Sequence, residues 1–317
     1  MSFINFIRRF KISYSLYNIF QFRRLKYIQQ QYKKRGIRKR YFSSVQASDF
    51  KGLEAEKPWL DEKNSQFVLP NNANFRALPV NLQQVLLPWS EKGYAIIRNF
   101  FTPEMMDKIN EEIESMLASG EVAYRYRNKI MFAYKKSETI KQAGLDKQLK
   151  NILELLLGRE VILFQSINFI TGSEQAAHSD TIHMTTHPLG FLIAVWVALE
   201  DIDEDNGPLF YYPGSHKLPY ILNTHYNHGG TRYQLGKTPY KNYEEKIQQV
   251  IQENTFEKHI FKAKKGDILI WHANLLHGGE IVNNKARTRK SMVFHYYAKD
   301  VVCYHEITQR PALIDSY

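Results

Sequence analysis

Three side chains in the second half of the chain are of the types that bind a divalent metal ion. His178 and Asp180 form a His-x-Asp motif, and His277 follows a strongly apolar segment. On a β-strand, residues i and i+2 point to the same face, so a short strand would direct His178 and Asp180 at one ion. With His277 on a neighbouring strand, the set has two imidazoles and one carboxylate. Such a set leaves three of six coordination positions open, which is typical of non-haem iron(II) oxygenases.

An arginine follows the second histidine at short range. Arg289, in the run Arg287-Thr288-Arg289-Lys290, opens the last apolar strand, so its side chain can point inward while the strand packs. A co-substrate with two carboxylates needs an anchor for the carboxylate that does not touch the metal. A planar guanidinium suits this purpose because it binds a carboxylate through two parallel hydrogen bonds. The alternative is that Arg287 and Arg289 belong to a solvated basic hairpin.

Each of these residues also has an ordinary structural interpretation. A lone His-x-Asp motif is common in turns, and a lone histidine such as His277 is often a core residue bonded to a backbone carbonyl. His272 is the main rival to His277, but it has the opposite strand parity and lacks the Gly-Gly pair that follows His277. His183 and His187 are close to the motif, and we expect them to surround the site or face the substrate rather than bind the metal.

The composition is that of a globular protein with a sizeable core. The chain has 317 residues, of which 44% are hydrophobic, 24% charged and 14% aromatic. The aromatic content favours β-sheet surfaces and pocket walls. Cys303 is the only cysteine, which excludes an internal disulfide and any zinc site built on two thiolates. A metal would therefore be bound by His, Asp and Glu.

The net charge of +11 comes from the N-terminus. Residues 1–40 carry twelve Lys or Arg and no acidic residue, whereas the remainder carries 31 basic and 32 acidic residues. This near-neutral remainder argues against a core that binds nucleic acid. The basic arm has three interpretations: a helical arm packed on the body or solvated, a transit peptide, or a segment that contacts a membrane surface. The apolar residues of the third interpretation are Phe3, Ile4, Ile7, Phe10, Ile19 and Phe20.

The element pattern changes from helical to extended along the chain. Thr102-Pro103-Glu104 provides an N-cap, a proline and an early acid, which predicts a helix to about residue 119. A second helix is predicted from Asp146 to Leu157, with Gly158 as its end, and a third at about 243–252. Apolar runs predict strands at 161–170, 191–199, 209–212, 259–261, 267–271 and 291–297. This order predicts an α+β chain whose second half is a sandwich or barrel.

Several further motifs follow His-x-Asp in a fixed order. They are Trp196, Asp205-Asn206-Gly207-Pro208-Leu209, Pro213-Gly214-Ser215-His216-Lys217, Lys265-Gly266-Asp267, His277-Gly278 and Arg289-Lys290. The ordered set resembles the phytanoyl-CoA dioxygenase family over about residues 90–300, and it does not include the basic arm. The resemblance implies an α+β, mainly β fold, with a double-stranded β-helix (jelly roll, cupin-like) core and flanking N-terminal helices.

The resemblance also implies the cofactors. His178, Asp180 and His277 would bind Fe(II), and Arg289 would bind the distal carboxylate of the co-substrate 2-oxoglutarate. O2 would be the second co-substrate, and ascorbate would support turnover. The enzyme would be a dioxygenase that hydroxylates a small organic substrate and releases succinate and CO2.

Four further residues match positions near the co-substrate in this family. Trp196 matches a pocket aromatic, Gln165 matches a contacting position on the preceding strand, and Asn168 is its neighbour. Lys129 matches a lysine that reaches the co-substrate, and the alternatives are Lys135 and Lys136.

The chain departs from the family pattern at two places. Gly279 stands where some members have a serine two residues after the distal histidine, so a hydroxyl contact to 2-oxoglutarate is absent or comes from elsewhere. The segment between His277 and Arg289 is slightly longer than usual, which leaves Arg287 as a rival. Asp180 is present where related halogenases have a small residue, and this favours hydroxylation over halogenation.

The organisation of the chain follows from these patterns. We predict a basic arm (1–45), a linker and helical lead-in (46–85) that is irregular over 46–78, a dioxygenase domain (86–305) and a C-terminal tail (306–317). A polar segment at 213–258 would form a lid insert. The expected partner is a small molecule and not nucleic acid. The expected location is cytoplasmic, or the mitochondrial matrix if residues 1–42 are a transit peptide.

Two other function classes remain open at this point. One is a jelly-roll binding protein that kept the pocket without turnover, and it would bind neither iron nor 2-oxoglutarate. The other is a metal-dependent hydrolase or isomerase on a cupin-like barrel, which often uses an additional ligand and has no need of Arg289.

Overall fold

The computed structural model describes residues 9–53 and 55–315. The α-helices in these ranges are α1 (Lys11–Ile19), α2 (Phe22–Lys34), α3 (Trp59–Glu62), α4 (Ser65–Val68), α5 (Ala73–Arg76), α6 (Val80–Leu86), α7 (Trp89–Lys92), α8 (Pro103–Ala118), α9 (Glu138–Gly144), α10 (Lys147–Leu157) and α11 (Pro239–Asn254). The strands are β1 (Tyr94–Ile97), β2 (Tyr124–Arg125), β3 (Lys129–Met131), β4 (Val161–Phe169), β5 (Thr185–His187), β6 (Leu192–Ala198), β7 (Leu209–Tyr211), β8 (His259–Phe261), β9 (Ile268–His272), β10 (His277–Gly279), β11 (Ser291–Ala298), β12 (Val302–His305) and β13 (Arg310–Pro311). More of the described residues lie in helices than in strands, and the helices surround a β core.

Two antiparallel sheets form the double-stranded β-helix that the sequence predicted. The large sheet has the strand order β1-β9-β6-β11-β4-β3-β2, and the small sheet has the order β10-β7-β8. A single bridge between His178 and His277 adds a short extended segment beside β10. A third sheet has the order β13-β12-β5.

The space between the two sheets is filled by alternate side chains of their strands. Trp196 on β6, Leu269 on β9 and Val293 on β11 share one buried cluster with Leu209 on β7 and Phe261 on β8. Because the side-chain period of a strand is two, the parity of each residue fixes whether it faces this interior. Along each regular stretch of strand, the residues that reach the interior therefore share one parity.

The opposite face of the large sheet packs against helices. Val195, Ile270 and Phe294 are buried in one cluster with Ile109 of α8 and Leu153 of α10. Strands buried on both faces read as continuous apolar runs rather than alternating ones, which is why β6 and β9 were recognisable in the sequence. Each large apolar side chain buried in this way contributes about 1.5–3 kcal/mol. Packing against the helices thus holds the large sheet, and with it the side chains on its inner face, in place.

The predicted helix ends are confirmed. Thr102 and Asp146 each accept a backbone N–H from the first turn of the helix that follows, α8 and α10 respectively. Helix α10 ends at Leu157, and Gly158 adopts a φ of +69°. A Cβ at Gly158 would lie 2.7 Å from the ring of Trp59. Glycine is therefore required both by the turn and by the packing.

The segment 46–78, which we predicted to be irregular, contains three short α-helices and two 3-10 helices among its described residues. Asn64 and Asn72 in this segment accept backbone N–H groups at the starts of α4 and α5. Trp59 in α3 donates a hydrogen bond from Nε1 to the carbonyl of Leu155 at 2.8 Å. Asparagine favours both turns and N-caps, so its presence alone did not distinguish the two.

The insert 213–258 packs against the segment that carries the His-x-Asp motif. Its helix α11 is longer than predicted, spanning Pro239–Asn254. Tyr243 and Ile247 on this helix are buried in one cluster with Ala177 and Ile182. The insert therefore covers the outside of the candidate metal-binding segment.

The basic arm packs on the body of the protein. Leu25, Ile28 and Tyr32 of α2 are fully buried in a cluster with Val302 and Tyr304 of β12. The arm also contacts the insert through backbone hydrogen bonds near α1. None of the helices among the described residues has the length and apolar content needed to cross a bilayer.

Candidate metal centre

The three predicted metal ligands lie together. His178 and His277 exchange two backbone hydrogen bonds of 2.9 Å, and their rings are 4.5 Å apart between centroids. Asp180 Oδ1 lies 3.8 Å from His277 Nε2. One potential ligand atom from each of the three side chains lies within 4.8 Å of the others. The structure thus brings together the two sequence-distant parts of the predicted set.

The local geometry of the motif differs from our expectation of a short strand. Only His178 makes a bridge to a neighbouring strand, and Asp180 already begins a 3-10 helix, Asp180–Ile182. The carboxylate therefore reaches the imidazoles through a turn rather than through strand alternation. The hydroxyl of Tyr243 accepts a hydrogen bond from the backbone N–H of Ser179 at 3.0 Å, which supports this turn.

Both imidazoles present the same nitrogen to the centre. The Nδ1 of His178 is 2.9 Å from the carbonyl oxygen of Ala176, and the Nδ1 of His277 is 3.0 Å from that of Leu275. Since a carbonyl can only accept, each Nδ1 carries the proton and each Nε2 keeps its lone pair. This backbone contact fixes both the tautomer and the ring orientation, as it commonly does for metal-binding histidines.

Two residues that the sequence analysis missed hold the carboxylate. Trp271 Nε1 donates to Asp180 Oδ2 at 2.7 Å, and His295 Nε2 lies 3.5 Å from the same oxygen. The other oxygen, Oδ1, faces His277. Both residues have the inward parity of their strands, since Leu269 and Val293 two positions away belong to the interior cluster. This inward parity is the sequence signal that could have identified Trp271 and His295 as neighbours of the carboxylate.

The protonation states fit a divalent cation. Burial lowers the pKa of His178 and of His277, so both imidazoles are neutral at neutral pH. Burial alone would raise the pKa of Asp180, but the neighbouring imidazoles of His277 and His295 outweigh burial and hold it below its ordinary value. A buried carboxylate without a cation is costly. Two neutral Nε2 donors and one ionised carboxylate suit Fe(II) or a similar ion.

Arg289 lies inside the β-helix, whereas its rival lies at the surface. The guanidinium of Arg289 is 2% exposed and sits 5.9 Å from the ring of Trp196 and 5.5 Å from the ring of Phe169. Burial lowers its pKa to about 10, so it stays charged at neutral pH. Arg287 instead forms a two-oxygen ion pair with Asp203 at 2.8 and 2.9 Å.

The guanidinium of Arg289 uses only some of its N–H groups in hydrogen bonds within the protein. Its Nε donates to the carbonyl of Gly207 at 3.1 Å and its Nη1 to Ser291 Oγ at 2.6 Å. A guanidinium carries five N–H groups, so these two contacts orient the side chain and leave N–H groups that could bind a carboxylate. Ser291 was not indicated by the sequence, and it is a hydroxyl beside this arginine in a chain that has Gly279 in place of the expected serine.

Among the three candidate lysines, Lys129 is the one near the centre. Its Nζ donates to Gln175 Oε1 at 3.1 Å, and the negative charge of Asp180 partly offsets the lowering of its pKa by burial. Lys135 pairs with Asp315, and Lys136 is an exposed residue beside Glu121. Lys129 thus brings a positive charge to the interior, while the other two lie at the outer surface.

The remaining predicted residues divide by strand parity. Trp196 and Gln165 have the inward parity of β6 and β4, and both are buried. Asn168 has the opposite parity, and its register partner on β11 is Met292, which belongs to the helix-side cluster. The structure therefore does not bring Asn168 to the metal centre, because a residue three positions after Gln165 must point to the other face of the strand.

The other histidines near the motif have separate surroundings. His183 lies beside the centre, with its ring 6.0 Å from that of His178, 5.1 Å from Tyr240 and 5.6 Å from His305. His187 stacks on a phenylalanine of the 47–50 turn at 4.0 Å. His272 contacts Asp61 through Nε2 at 3.3 Å, away from the metal group.

Gln175 links the insert to the metal centre, and no motif in the sequence indicated this role. Its Nε2 lies 2.8 Å from the hydroxyl of Tyr240 on α11 and 3.2 Å from His178 Nε2. Since His178 Nδ1 carries the proton, the Gln175 amide donates to the lone pair of Nε2. A metal would take the same lone pair, so metal binding would release this amide.

A family model described as Phytanoyl-CoA dioxygenase (PhyH) matches residues 89–291. The chain belongs to the phytanoyl-CoA dioxygenase family. The matched range contains His178, Asp180, His277 and Arg289, and it does not extend to the basic arm.

Curated relatives match parts of the chain that differ in length. Phytanoyl-CoA dioxygenase domain-containing protein 1 from Danio rerio is 32% identical over 127 residues, which cover 39% of this chain and 39% of that protein. The Bos taurus protein of the same name is 40% identical over 58 residues, or 18% of this chain and 19% of that protein. The chain thus spans less than half the length of these two family members. Ectoine dioxygenase from Stutzerimonas stutzeri (strain A1501) is 25% identical over 233 residues, which cover 65% of this chain and 72% of that protein.

Solved structures share the fold. The non-heme alpha ketoglutarate dependent epimerase SnoN from nogalamycin biosynthesis has a TM-score of 0.55 at 18% identity, covering 71% of this chain and 86% of that one. EctD from S. alaskensis has a TM-score of 0.53 at 19% identity, and the match covers 72% of this chain and 79% of that one. These members of the wider fold group have the same double-stranded β-helix.

Proposed function

We propose that this family member is an Fe(II)- and 2-oxoglutarate-dependent oxygenase that hydroxylates a small organic substrate. The observation that carries the proposal is the convergence of potential ligand atoms of His178, His277 and Asp180 within a buried group. A buried guanidinium, Arg289, lies in the interior of the same β-helix. A metal-dependent hydrolase would need the first feature but not the second.

The residues of the chain have distinct tasks in this proposal. His178, His277 and Asp180 would hold Fe(II), and Trp271 would keep Asp180 Oδ1 directed at it by binding Oδ2. Arg289 would bind the distal carboxylate of 2-oxoglutarate, and Lys129 would offset its negative charge. Iron(II) and 2-oxoglutarate, when bound, supply the oxidising chemistry, in which O2 delivers one oxygen atom to a substrate C–H bond and the other to succinate as CO2 leaves.

Apolar and aromatic walls would exclude water from this chemistry. Trp196 and Phe169 flank the guanidinium of Arg289, and both are almost fully buried. A dry environment strengthens the ion pair between the arginine and a bound carboxylate. The presence of Asp180, rather than a small residue, supports hydroxylation over halogenation.

The substrate would approach along the polar side of the centre. His183, His305 and Tyr240 form a group of rings beside His178, which suits a small polar molecule with hydrogen-bonding groups. The names of related proteins point the same way, since EctD was solved with 5-hydroxyectoine and SnoN with nogalamycin RO.

The proposal is tested by succinate release. Purified protein with Fe(II), ascorbate, O2 and 2-oxoglutarate should form succinate, and a panel of small metabolites should include one that raises the rate. Asp180→Ala should abolish this release, while His259→Ala, which changes a residue outside the centre, should keep it. A protein that binds neither iron nor 2-oxoglutarate and forms no succinate with any metabolite would be a binding protein instead.

We also propose that the basic arm stays attached and contacts an anionic membrane surface. Ile12, Leu16 and Ile19 on α1 and Phe20 at its C-cap lie at helical spacing and are 67%, 57%, 41% and 86% exposed. An exposed apolar stripe within a segment that has only basic charges suits anionic lipid headgroups. Sedimentation with phosphatidylserine vesicles should fall for Phe20→Ser, and equal binding of both proteins would refute the contact.

The location follows from whether the arm is retained. Removing residues 1–42 would expose the surface of β12 that α2 covers, which supports retention and a cytoplasmic location over cleavage in the mitochondrial matrix. Mass determination of the native protein decides between them, because a cleaved arm would shorten the chain by about its first 42 residues.

A further inference from the structure

A second polar pocket lies outside the metal centre, where the basic arm meets the insert. It has a volume of about 500 Å³ and is lined by Lys11 and Lys39 of the arm, His228 and Arg232 of the insert, and Gln309 near the C-terminus. A pocket of this size accommodates a small ligand. Its walls come from three separate parts of the chain.

The positive charges in this pocket are not balanced. Lys39 forms an ion pair with Asp49, which also accepts the backbone N–H of Gln46. Among the described residues, no carboxylate lies within ion-pair distance of Lys11 or Arg232. The pocket therefore has an excess of two positive charges, one from each side of the junction.

Lys11 is the most enclosed basic residue of the pocket, and its ammonium group forms no ion pair with a described carboxylate. The residue is only 9% exposed; burial and the positive charge of Lys39 lower its pKa, and the negative charge of Asp49 offsets part of this lowering. Burying an ammonium group is unfavourable unless it is paired or hydrogen bonded. A bound anion would supply the missing partner.

Gln309 is a second, independent sign of a missing ligand. Its side chain is 4% exposed and lines the pocket, and its Oε1 is buried without a hydrogen-bond partner. Because the two ends of an amide are assigned from their hydrogen bonds, the NH2 group can equally face the pocket and donate to an anion. Native proteins rarely leave such a buried group unsatisfied.

We propose that this pocket binds a phosphate monoester, with Lys11 and Arg232 neutralising its two negative charges and Gln309 donating a hydrogen bond. A phosphoryl group has the charge and the three acceptor oxygens that this set of donors needs. The ligand would contact both the arm and the insert, which already share the hydrogen bond from Lys11 N to the Tyr233 carbonyl at 3.0 Å. The site does not depend on the oxygenase proposal.

The proposal is tested by calorimetric titration of the full-length, metal-free protein with glycerol 3-phosphate at constant ionic strength. The wild type should bind one equivalent, and Lys11→Met should raise the Kd by about tenfold or more, which corresponds to the loss of one charge-assisted hydrogen bond. Lys26→Met, which removes the same charge from an exposed position on the arm, should leave the Kd unchanged. Arg232→Gln alters an exposed rim residue and should also weaken binding, so the result does not depend on the folding of the Lys11 variant.

A soluble phosphate monoester and a phospholipid headgroup share this chemistry, and vesicles of phosphatidylcholine with phosphatidate distinguish them. If Lys11→Met reduces sedimentation with these vesicles, the headgroup is the source. If vesicle binding is unchanged while glycerol 3-phosphate binding is lost, the source is soluble. Absence of glycerol 3-phosphate binding by the wild type, or equal weakening by Lys11→Met and Lys26→Met, would overturn the proposal.

Discussion

Arg287 and Arg289 are two positions apart and have opposite surroundings. Arg289 is buried between the sheets beside Trp196, whereas Arg287 is held at the surface by Asp203. The difference follows from the backbone: Arg289 already pairs with the strand side through its N–H to the Ile170 carbonyl, whereas the N–H of Arg287 closes a turn onto the Asn284 carbonyl. The sequence favoured Arg289 because it opens the last apolar strand, but could not remove its rival.

The same substitution at Arg289 and at Arg287 tests which arginine binds 2-oxoglutarate. Arg289→Lys keeps the charge but loses the planar fork, so the KM for 2-oxoglutarate should rise by about 10–100-fold. Arg287→Lys should leave this KM within about twofold, because a surface ion pair contributes little. Steady-state succinate release at varied 2-oxoglutarate measures both values. A larger rise in this KM from Arg287→Lys than from Arg289→Lys would show that Arg287, and not Arg289, binds the distal carboxylate.

Trp271 acts on the metal through Asp180. Its indole N–H holds Oδ2 at 2.7 Å and leaves Oδ1 as the oxygen nearer to His277. Trp271→Phe should weaken Fe(II) binding by about 10–100-fold while the fold persists, since loss of a hydrogen bond to a ligand typically has this effect. Anaerobic titration with Fe(II) measures the affinity.

The control for this variant is Trp89→Phe, which makes the same change at a buried tryptophan of the helix-side cluster. Its Fe(II) affinity should equal that of the wild type. If both variants or neither lose affinity, Trp271 has no specific role in orienting the carboxylate.

At the scale of elements, strand β10 positions His277 by a close approach to its neighbours. A Cβ on Gly278 would lie 2.4 Å from Phe210 Cζ and 2.6 Å from the carbonyl oxygen of Gln175. Gly278→Ala should therefore push β10 away from the His178 segment. We expect both a lower melting temperature and at least a tenfold loss of Fe(II) affinity, measured by calorimetry and titration. Unchanged Fe(II) affinity would show that the bridge between His178 and His277 does not set the metal geometry.

The elements that could be predicted from the sequence are those with local signals. The caps Thr102 and Asp146 and the end at Gly158 lie within a few residues of the helices they bound, and the structure confirms them. Strands β6 and β9 were found because burial on both faces makes them continuously apolar. The short helices α3 to α5 were missed, because asparagine caps look like loop residues in isolation.

The parts of the site that could not be predicted depend on contacts between distant segments. The hydrogen bond from Trp271 to Asp180 joins residues on separate elements, and the link from Gln175 to Tyr240 needs α11 to fold over the His-x-Asp segment. Asn168 was placed at the co-substrate as the neighbour of Gln165, although strand parity directs it to the opposite face. The family resemblance indicated which residue types belong to the site, but the strand register determines which side chains point into the interior.

At the scale of the whole molecule, the basic arm is a structural part of the fold. Helix α2 buries Ile28 completely against β12, whereas Leu16 on α1 is 57% exposed. Ile28→Ala should lower the free energy of unfolding by about 2–4 kcal/mol because it leaves a cavity. Leu16→Ala should change it by less than about 0.5 kcal/mol, as is usual for an exposed residue.

Urea unfolding measures both variants on the full-length protein. Equal stabilities for Ile28→Ala and the wild type would mean that the arm does not pack on the body. A packed arm also places the pocket between Lys11 and Arg232 at its contact with the insert, and the same insert covers the metal-binding segment.

The most direct test of the metal centre is anomalous X-ray diffraction at the iron edge from crystals grown anaerobically with Fe(II) and 2-oxoglutarate. We expect one strong peak in contact with His178 Nε2, His277 Nε2 and Asp180 Oδ1, with density for 2-oxoglutarate reaching from the metal to the guanidinium of Arg289. The absence of a peak among these three side chains, or a peak held by other residues, would contradict the assignment.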